Sequence, residues 1–171
     1  MAAAAAAAIL GGMTAHDANG RPLLIAYDGS ECAKRAINEA ASLFPGRRAI
    51  VITVWQDVRA MPSFAWAAPA SLTGIQDMLD VVREGAERVA KEGAGIAVHE
   101  GLDATSEAVE AQGSIAEAIV GRAARDDVAV IVMGSRGYGG MRAALLGSVS
   151  TGVVHQAHQP VLVARRDAVE A

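Results

Sequence analysis

The residues with the clearest chemical potential lie between 132 and 150, in the stretch VMGSRGYGGMRAALLGSVS. Glycines follow an apolar run there, and Gly147-Ser148 opens a candidate helix. Glycine lets backbone N–H groups approach a ligand closely, and a helix start offers unpaired N–H donors at the positive end of its dipole. The hydroxyls of Ser148 and Ser150 would add donors. The stretch predicts a phosphate-binding site, although a permissive strand-to-helix loop would use the same glycines.

Two common phosphate motifs do not fit this stretch. A P-loop requires a lysine directly before the final serine or threonine, and no lysine precedes Ser148. A dinucleotide fingerprint requires G-x-G-x-x-G joining a strand directly to a helix, with an acidic residue about 20 positions further on. The sequence instead contains Gly134-x2-Gly137-x9-Gly147-Ser148.

The strands that must position these residues are predicted from short apolar runs. Five strands are expected, at 23–27, 49–55, 96–102 (IAVHEGL), 128–134 and 160–166. The first, second and fourth are continuous apolar runs and are expected to be buried on both faces. His99 and Glu100 then fall at the end of the third strand, and nothing in the sequence pairs with them.

Helical patterns separate the strands. Ser30 can cap a helix that Pro45-Gly46 ends, and a long amphipathic helix begins near Ile75 and ends before Gly93. Ser114 and Glu117 have the spacing of a capping box. A last helix is expected from about 148 to 158.

This strict alternation predicts a three-layer α/β sandwich, a five-stranded mostly parallel sheet with helices on both faces and right-handed crossovers. Ligands of such sheets bind outside the carboxyl ends of the strands, where the strand order reverses. Asp28, the residues around Val54 and the glycine-rich stretch should meet at that edge. Asp28 could alternatively serve only to stabilise its Asp-Gly turn or the following helix.

The spacing of the glycines matches the nucleotide-binding pattern G-x2-G-x9-G-[ST] of the universal stress protein family. The chain resembles that family over about residues 21–165, including LLIAYDGSECAKRAINEA near the start and VIVMGSRGYGGMRAALLGSVSTGVVHQAHQPVLV near the end. The resemblance implies an adenine nucleotide alpha hydrolase-like, Rossmann-like fold and an ATP site. Mg²⁺ or Mn²⁺ could bridge the phosphates, with Asp28 the nearest candidate ligand.

The resemblance also implies which residues bind the nucleotide. Asp28 would lie beside the ribose, the backbone of Ala26 near the nucleotide and that of Val54 at the adenine. The segment after the fourth strand would wrap the ribose and phosphates, and the start of the last helix would hold the phosphates. These two segments comprise Met133, Gly134, Ser135, Arg136, Gly137, Tyr138, Gly139 and Gly140, and then Gly147, Ser148, Val149 and Ser150.

A homodimer is implied as well, joined through the last strand. An exposed apolar edge strand invites pairing, so the physical argument agrees with the resemblance. The residues concerned are Pro160, Val161, Leu162, Val163 and Ala164.

Composition limits the possible partners and location. The net charge of -4 and the absence of a dense basic stripe argue against nucleic acid. Cys32 is the single cysteine, which fits a reducing compartment. No run reaches the roughly 18 apolar residues that a membrane span needs. We expect a cytoplasmic protein.

The domain organisation is predicted to be simple. Residues 1–20 should form a disordered extension in which Met13 is the natural start, 21–167 one domain, and 168–171 a tail. The long loop after the second strand carries Met61, Phe64, Trp66 and Pro69, which we expect to cover a core edge or the nucleotide.

The sequence favours an ATP-binding regulatory module whose nucleotide state controls association with an unidentified protein partner. A slow ATPase or an autophosphorylating enzyme is one alternative, although no general base for the reaction is evident. A nucleotide-free scaffold is another. His155 and His158 could share a metal, but histidines at a helix C-terminus are also favoured by the dipole.

Overall fold

The computed structural model describes residues 20–57, 72–137 and 146–165, and helices and strands alternate along them. The elements are β1 (Leu23–Ala26), α1 (Glu31–Leu43), β2 (Arg48–Gln56), α2 (Leu72–His99), β3 (Asp103–Ala111), α3 (Ile115–Arg125), β4 (Val130–Gly134), α4 (Ser148–Gln156) and β5 (Val161–Ala164). The predictions made for residues 1–19 and 168–171, for Met61, Phe64, Trp66 and Pro69, and for Tyr138, Gly139 and Gly140 lie outside the described residues.

The strands form one five-stranded sheet in the order β3-β2-β1-β4-β5, and every neighbouring pair is parallel. The predicted fold class is therefore confirmed. Alternate residues of β1 serve opposite faces: Leu23 and Ile25 pack with α1 and α2, whereas Leu24 packs with α3 and α4. Because both faces are covered, β1 and β4 contain no polar side chain, and β2 carries a nearly continuous apolar run.

The predicted caps of α1 and α3 are confirmed in detail. Ser30 caps α1, since its hydroxyl oxygen accepts a hydrogen bond from the Ala33 N–H at 3.2 Å. Ser114 and Glu117 form the predicted capping box at the start of α3, each side chain accepting from the other residue's backbone N–H. These caps fix where the chain turns after β1 and after β3.

The prediction for the third strand is wrong. Residues 96–99 continue α2, which ends at His99, and the strand follows at Asp103–Ala111. His99 and Glu100 therefore lie at the end of a helix. The true strand, DATSEAVEA, forms an edge of the sheet and is largely exposed or half-buried, so it lacks the continuous apolar run of a central strand.

The long helix was predicted to end before Gly93, but α2 continues through this residue for a physical reason. Gly93 is buried against Tyr27, the residue after β1, where a β-carbon would lie 2.6 Å from Tyr27 Cδ1. The glycine therefore permits close helix-to-sheet packing and does not end the helix.

Among the described residues, no helix is both long enough and apolar enough to span a membrane.

Candidate functional site

A cleft opens where the strand order reverses, between the carboxyl ends of β1 and β4. The connection from β1 leads to β2 on one side of β1, whereas the connection into β4 lies on its other side. No crossover therefore covers the gap between the ends of β1 and β4. The cleft has a volume of about 420 Å³. Its described lining consists of Ala26, Tyr27, Asp28, Ala33, Ile52, Val54, Ile115, Ile119, Met133, Gly134, Arg136, Gly137, Leu146, Gly147, Ser148, Val149 and Ser150.

The structure brings together around this one cleft every predicted site residue that it describes, with one exception. Ser135 does not line the cleft but is buried behind it. Its N–H donates to the carbonyl of Ala164 in β5 at 2.7 Å, and its own carbonyl accepts from the Gly147 N–H at 2.8 Å. Ser135 thereby ties the end of β4 both to the last strand and to the start of α4.

The polar side of the cleft is the N-terminus of α4. Gly147 is its N-cap and provides no side-chain hydrogen bond, whereas Ser30 and Ser114 cap α1 and α3 with their hydroxyls. The first N–H groups of any helix lack partners within the helix. In α4 they belong to Ser148, Val149 and Ser150, which line the cleft. This end of α4 therefore offers backbone donors and a positive dipole to an anion.

The Ser150 hydroxyl, predicted as a phosphate donor, is engaged within the protein itself. The side chain is buried, and its Oγ lies 3.0 Å from both the Ser135 carbonyl and the Gly147 carbonyl. A hydroxyl has one proton, and here it is shared between these acceptors. The Ser150 hydroxyl therefore stabilises the turn that precedes α4. The hydroxyl-bearing Ser148 is exposed at the cleft.

Asp28 has the turn-stabilising role that the sequence offered as an alternative to ligand binding. Its Oδ1 accepts a hydrogen bond from the Ser30 N–H at 3.0 Å, which stabilises the turn before α1. Its Oδ2 lies over Gly137, where any β-carbon would overlap it. The carboxylate is exposed and lines the cleft, so it remains accessible to a ligand.

Gly134 and Gly147 differ in how much room a side chain would have at each position. A β-carbon at Gly134 would lie 2.8 Å from the carbonyl carbon of Cys32, so glycine there lets β4 approach the backbone of α1. At Gly147 the nearest atom would be the Ser135 carbonyl oxygen at 3.5 Å, an ordinary contact. Steric need therefore explains the first glycine of the motif and leaves the last one without a packing reason.

The apolar side of the cleft comes from the sheet and from α3. Ile52, Val54 and Met133 contribute from the strands, and Ile115 and Ile119 from the first turns of α3. Sequence reasoning missed the two α3 residues as site residues. The available signal was the capping box, which places Ile115 at the first position of a helix entering from the same edge of the sheet.

Val54 lines the cleft beyond the point where β1 ends, because β2 is the longer strand. Pairing ends at Ala26 opposite Ile52, and the Tyr27 N–H donates to the Ile52 carbonyl at 2.8 Å. Since backbone direction alternates along a strand, the N–H and C=O of Val54 point to the same side as those of Ile52. That side faces the space beyond the end of β1.

An ion-pair cluster holds α3 in place as a wall of the cleft. Arg122 donates through Nε and Nη2 to the Glu107 carboxylate of β3, at 3.0 and 2.6 Å, and also pairs with Asp126. The hydrogen bonds to Glu107 outweigh the effect of burial and raise the pKa of Arg122 further above its ordinary value. The side chain is only 9% exposed, so the pair is shielded from solvent on the arginine side.

Within residues 20–57, 72–137 and 146–165, no group of three or more His, Cys, Asp or Glu side chains is placed to hold a metal ion.

Comparison with known proteins identifies the class. A model of the universal stress protein family matches residues 20–165, and the chain belongs to this family. Universal stress protein YxiE of Bacillus subtilis is 32% identical over 154 residues, covering 84% of this chain and 97% of the relative. A universal stress protein of Thermus aquaticus is 34% identical over 150 residues, covering 85% and 98%.

Solved structures share the fold. The hypothetical protein MJ0577 superposes with a TM-score of 0.70 at 24% identity, covering 86% of this chain and 97% of that one. The Archaeoglobus fulgidus universal stress protein in complex with dAMP gives 0.59 at 21% identity, covering 84% and 97%. A family protein from Arabidopsis thaliana with AMP bound gives 0.53 at 18%, covering 88% and 94%.

Proposed function

We propose that this protein binds ATP in the cleft between β1 and β4 and acts as a regulatory module of the stress response. Nucleotide occupancy would control its association with a protein partner. The observation that carries the proposal is the pairing, in one cleft, of an apolar wall with a helix N-terminus that has no side-chain cap.

The cleft has the division of chemistry that a nucleotide requires. Ile52, Ile115 and Ile119 provide apolar surface for a base, and the N–H and C=O of Val54 provide a donor and an acceptor for the edge of adenine. Asp28 provides a carboxylate for a ribose hydroxyl. The N–H groups at the start of α4 would hold the phosphates.

The likeness to nucleotide-bound proteins supports the same assignment. Structures with this fold hold dAMP and AMP, and a further universal stress protein was solved with cAMP, at a TM-score of 0.60 and 20% identity over 84% of this chain and 96% of that one. Three or four charge-assisted hydrogen bonds, less the cost of association, would give affinity of about micromolar order.

We propose binding without efficient turnover. Asp28 is the carboxylate among the described lining residues, and one of its oxygens is already used by the Ser30 N–H. A group that abstracts a proton from water would need to be free and near the last phosphate. A single-turnover assay with labelled ATP tests this, because release of phosphate within minutes would indicate an enzyme.

We also propose a homodimer through β5. This strand ends the sheet, and Val161, Leu162 and Val163 are only half-buried in one chain. Backbone groups of Leu162 point to the same side as the carbonyls of Pro160 and Ala164, which accept from Ile131 in β4 and from Ser135 directly after it. Val161 and Val163 therefore direct their N–H and C=O groups outward, toward a second copy.

The deciding experiment is to denature the purified protein and identify any released nucleotide by mass spectrometry, followed by calorimetric titration with ATP. We expect adenine nucleotide or micromolar binding. A chain that releases none, and whose melting temperature does not change with ATP, would instead be a nucleotide-free scaffold.

A further inference from the structure

Arg136 is the cation among the described residues that line the cleft. Its backbone position is fixed from two sides. The Ser30 hydroxyl lies 3.4 Å from its carbonyl, and a β-carbon at Gly147 would lie 3.7 Å from its Cα. The side chain therefore originates beside the uncapped start of α4.

The guanidinium of Arg136 contains a buried nitrogen without a partner among the described residues. Its Nε is buried and has no hydrogen-bond partner in the described part of the chain, and no ion pair joins it to a described carboxylate. Arg21 and Arg122, in contrast, both pair with aspartate or glutamate. A buried N–H donor without an acceptor is unfavourable, so an anionic ligand in the cleft would satisfy it.

The contacts available to a nucleotide divide by the part of the ligand they touch. The apolar wall, Val54 and Asp28 act on the base and ribose, which adenosine, AMP and ATP share. One phosphate group can already occupy the N–H donors of α4. Further phosphates need a further donor, and the guanidinium beside Gly147 provides a charged one.

We infer that Arg136 sets the preference for the number of phosphates, so that di- and triphosphates bind more tightly than a monophosphate or a cyclic monophosphate. This inference rests on the proposed function. Contacts to the base and ribose are the same for all these nucleotides and cannot distinguish them by phosphate number, whereas the Arg136 side chain can.

The test is calorimetric titration of the full chain with adenosine, AMP, ADP and ATP, using the wild type and three variants. Arg136→Gln removes the charge, and Arg136→Lys keeps the charge without the planar donor set. Arg88→Gln is the matched control, since Arg88 is exposed on α2 outside the cleft. Urea unfolding checks that each variant remains folded.

We expect wild-type ATP affinity to exceed AMP affinity by roughly tenfold to hundredfold. Arg136→Gln should remove most of this ratio and leave adenosine and AMP binding unchanged, Arg136→Lys should be intermediate, and Arg88→Gln should match the wild type. The ratio should also fall as salt is added.

Two results overturn the inference while the proposed function survives. One is equal wild-type affinity for AMP and ATP. The other is an Arg136→Gln variant that weakens adenosine, AMP and ATP by the same factor. If the wild type binds none of the four ligands, the proposed function fails and the inference fails with it.

Discussion

Gly137 lies directly beneath the carboxylate of Asp28, so that a β-carbon at residue 137 would overlap Oδ2. The other oxygen of Asp28 is held by the Ser30 N–H at 3.0 Å. The segments after β1 and after β4 therefore approach each other at this point, and the glycine is what leaves room for the carboxylate.

Gly137→Ala should weaken ATP binding without unfolding the protein. The methyl group displaces only the end of a flexible side chain, so the cost to the fold is small, while Asp28 loses its position at the cleft. We expect ATP affinity to fall by about threefold to tenfold, equivalent to one hydrogen bond. Calorimetric titration measures this, with Gly121→Ala, which adds a methyl group in open space, as the control. Equal ATP affinity of the two variants would contradict the assigned role.

Two glycines of α2 should respond oppositely to the same substitution. Gly93→Ala places a β-carbon 2.6 Å from the Tyr27 ring and should destabilise the protein by about 1–3 kcal/mol. Gly95→Ala meets nothing within 4 Å and should stabilise it by about 0.4–1 kcal/mol, because alanine restricts the unfolded chain. Urea unfolding of both variants provides the comparison. Changes of the same sign would show that helix propensity, and not packing on Tyr27, dominates at Gly93.

Arg122→Met should destabilise the protein by about 1–3 kcal/mol. This is below the range for fully buried pairs because the Glu107 side chain is 37% exposed. The control is Arg83→Met, whose exposed pairs at 3.9 Å should contribute less than about 0.5 kcal/mol.

The stability contributed by Arg122 should not change between neutral pH and about pH 10. Its pKa is raised in the folded state, so its contribution is complete below the unfolded-state pKa and is lost only when pH rises through the folded-state pKa, at strongly alkaline pH. Urea unfolding of wild type and Arg122→Met at both pH values tests this. A stability difference that shrinks before about pH 10 would count against the sign of the shift.

Alanine substitutions of the two serines at the start of α4 should have different effects, one on the free energy of unfolding and the other on ATP affinity. Ser150→Ala removes the buried hydroxyl that serves the Ser135 and Gly147 carbonyls, and should cost about 1–3 kcal/mol. Ser148→Ala changes an exposed residue and should leave stability within about 0.5 kcal/mol while weakening ATP binding. Thermal unfolding and titration of both variants measure the two effects. The assignment is refuted if Ser150→Ala is as stable as the wild type.

Val163→Pro should convert the proposed dimer to a monomer. Residue 163 directs its N–H away from β4, so proline removes a donor of the open edge and spares the bonds within the sheet. Val163→Thr keeps the N–H and serves as the control. Light scattering after size exclusion gives the mass, and a wild-type monomer at micromolar concentration would rule out the dimer.

Much of the fold could be predicted because local and tertiary preferences agree. The two innermost strands, β1 and β4, are continuously apolar since both faces are covered, and the starts of α1 and α3 carry serine caps. The site followed from the same reasoning, since the ends of β1 and β4 had to meet at the switch point. Asp28 and Gly137, more than a hundred residues apart, were placed together by topology alone.

The failures have tertiary causes. The strand β3 was missed because an edge strand can be polar, and Gly93 was mistaken for a helix end because its packing on Tyr27 cannot be read from α2 itself. Ser150 has the residue type of a phosphate ligand, but its hydroxyl was already needed by two carbonyls. In each case the deciding neighbour lies elsewhere in the chain.

The hydrogen bond from the Ser135 N–H to the Ala164 carbonyl has a consequence for biosynthesis. The glycine-rich segment is translated before β5, yet Ser135, whose carbonyl accepts from the Gly147 N–H, is also held by Ala164, the last residue of β5. A nascent chain halted before residue 164 contains the whole motif but lacks this attachment. The link from Ser135 to β5 therefore forms only after the last residue of that strand has been synthesised.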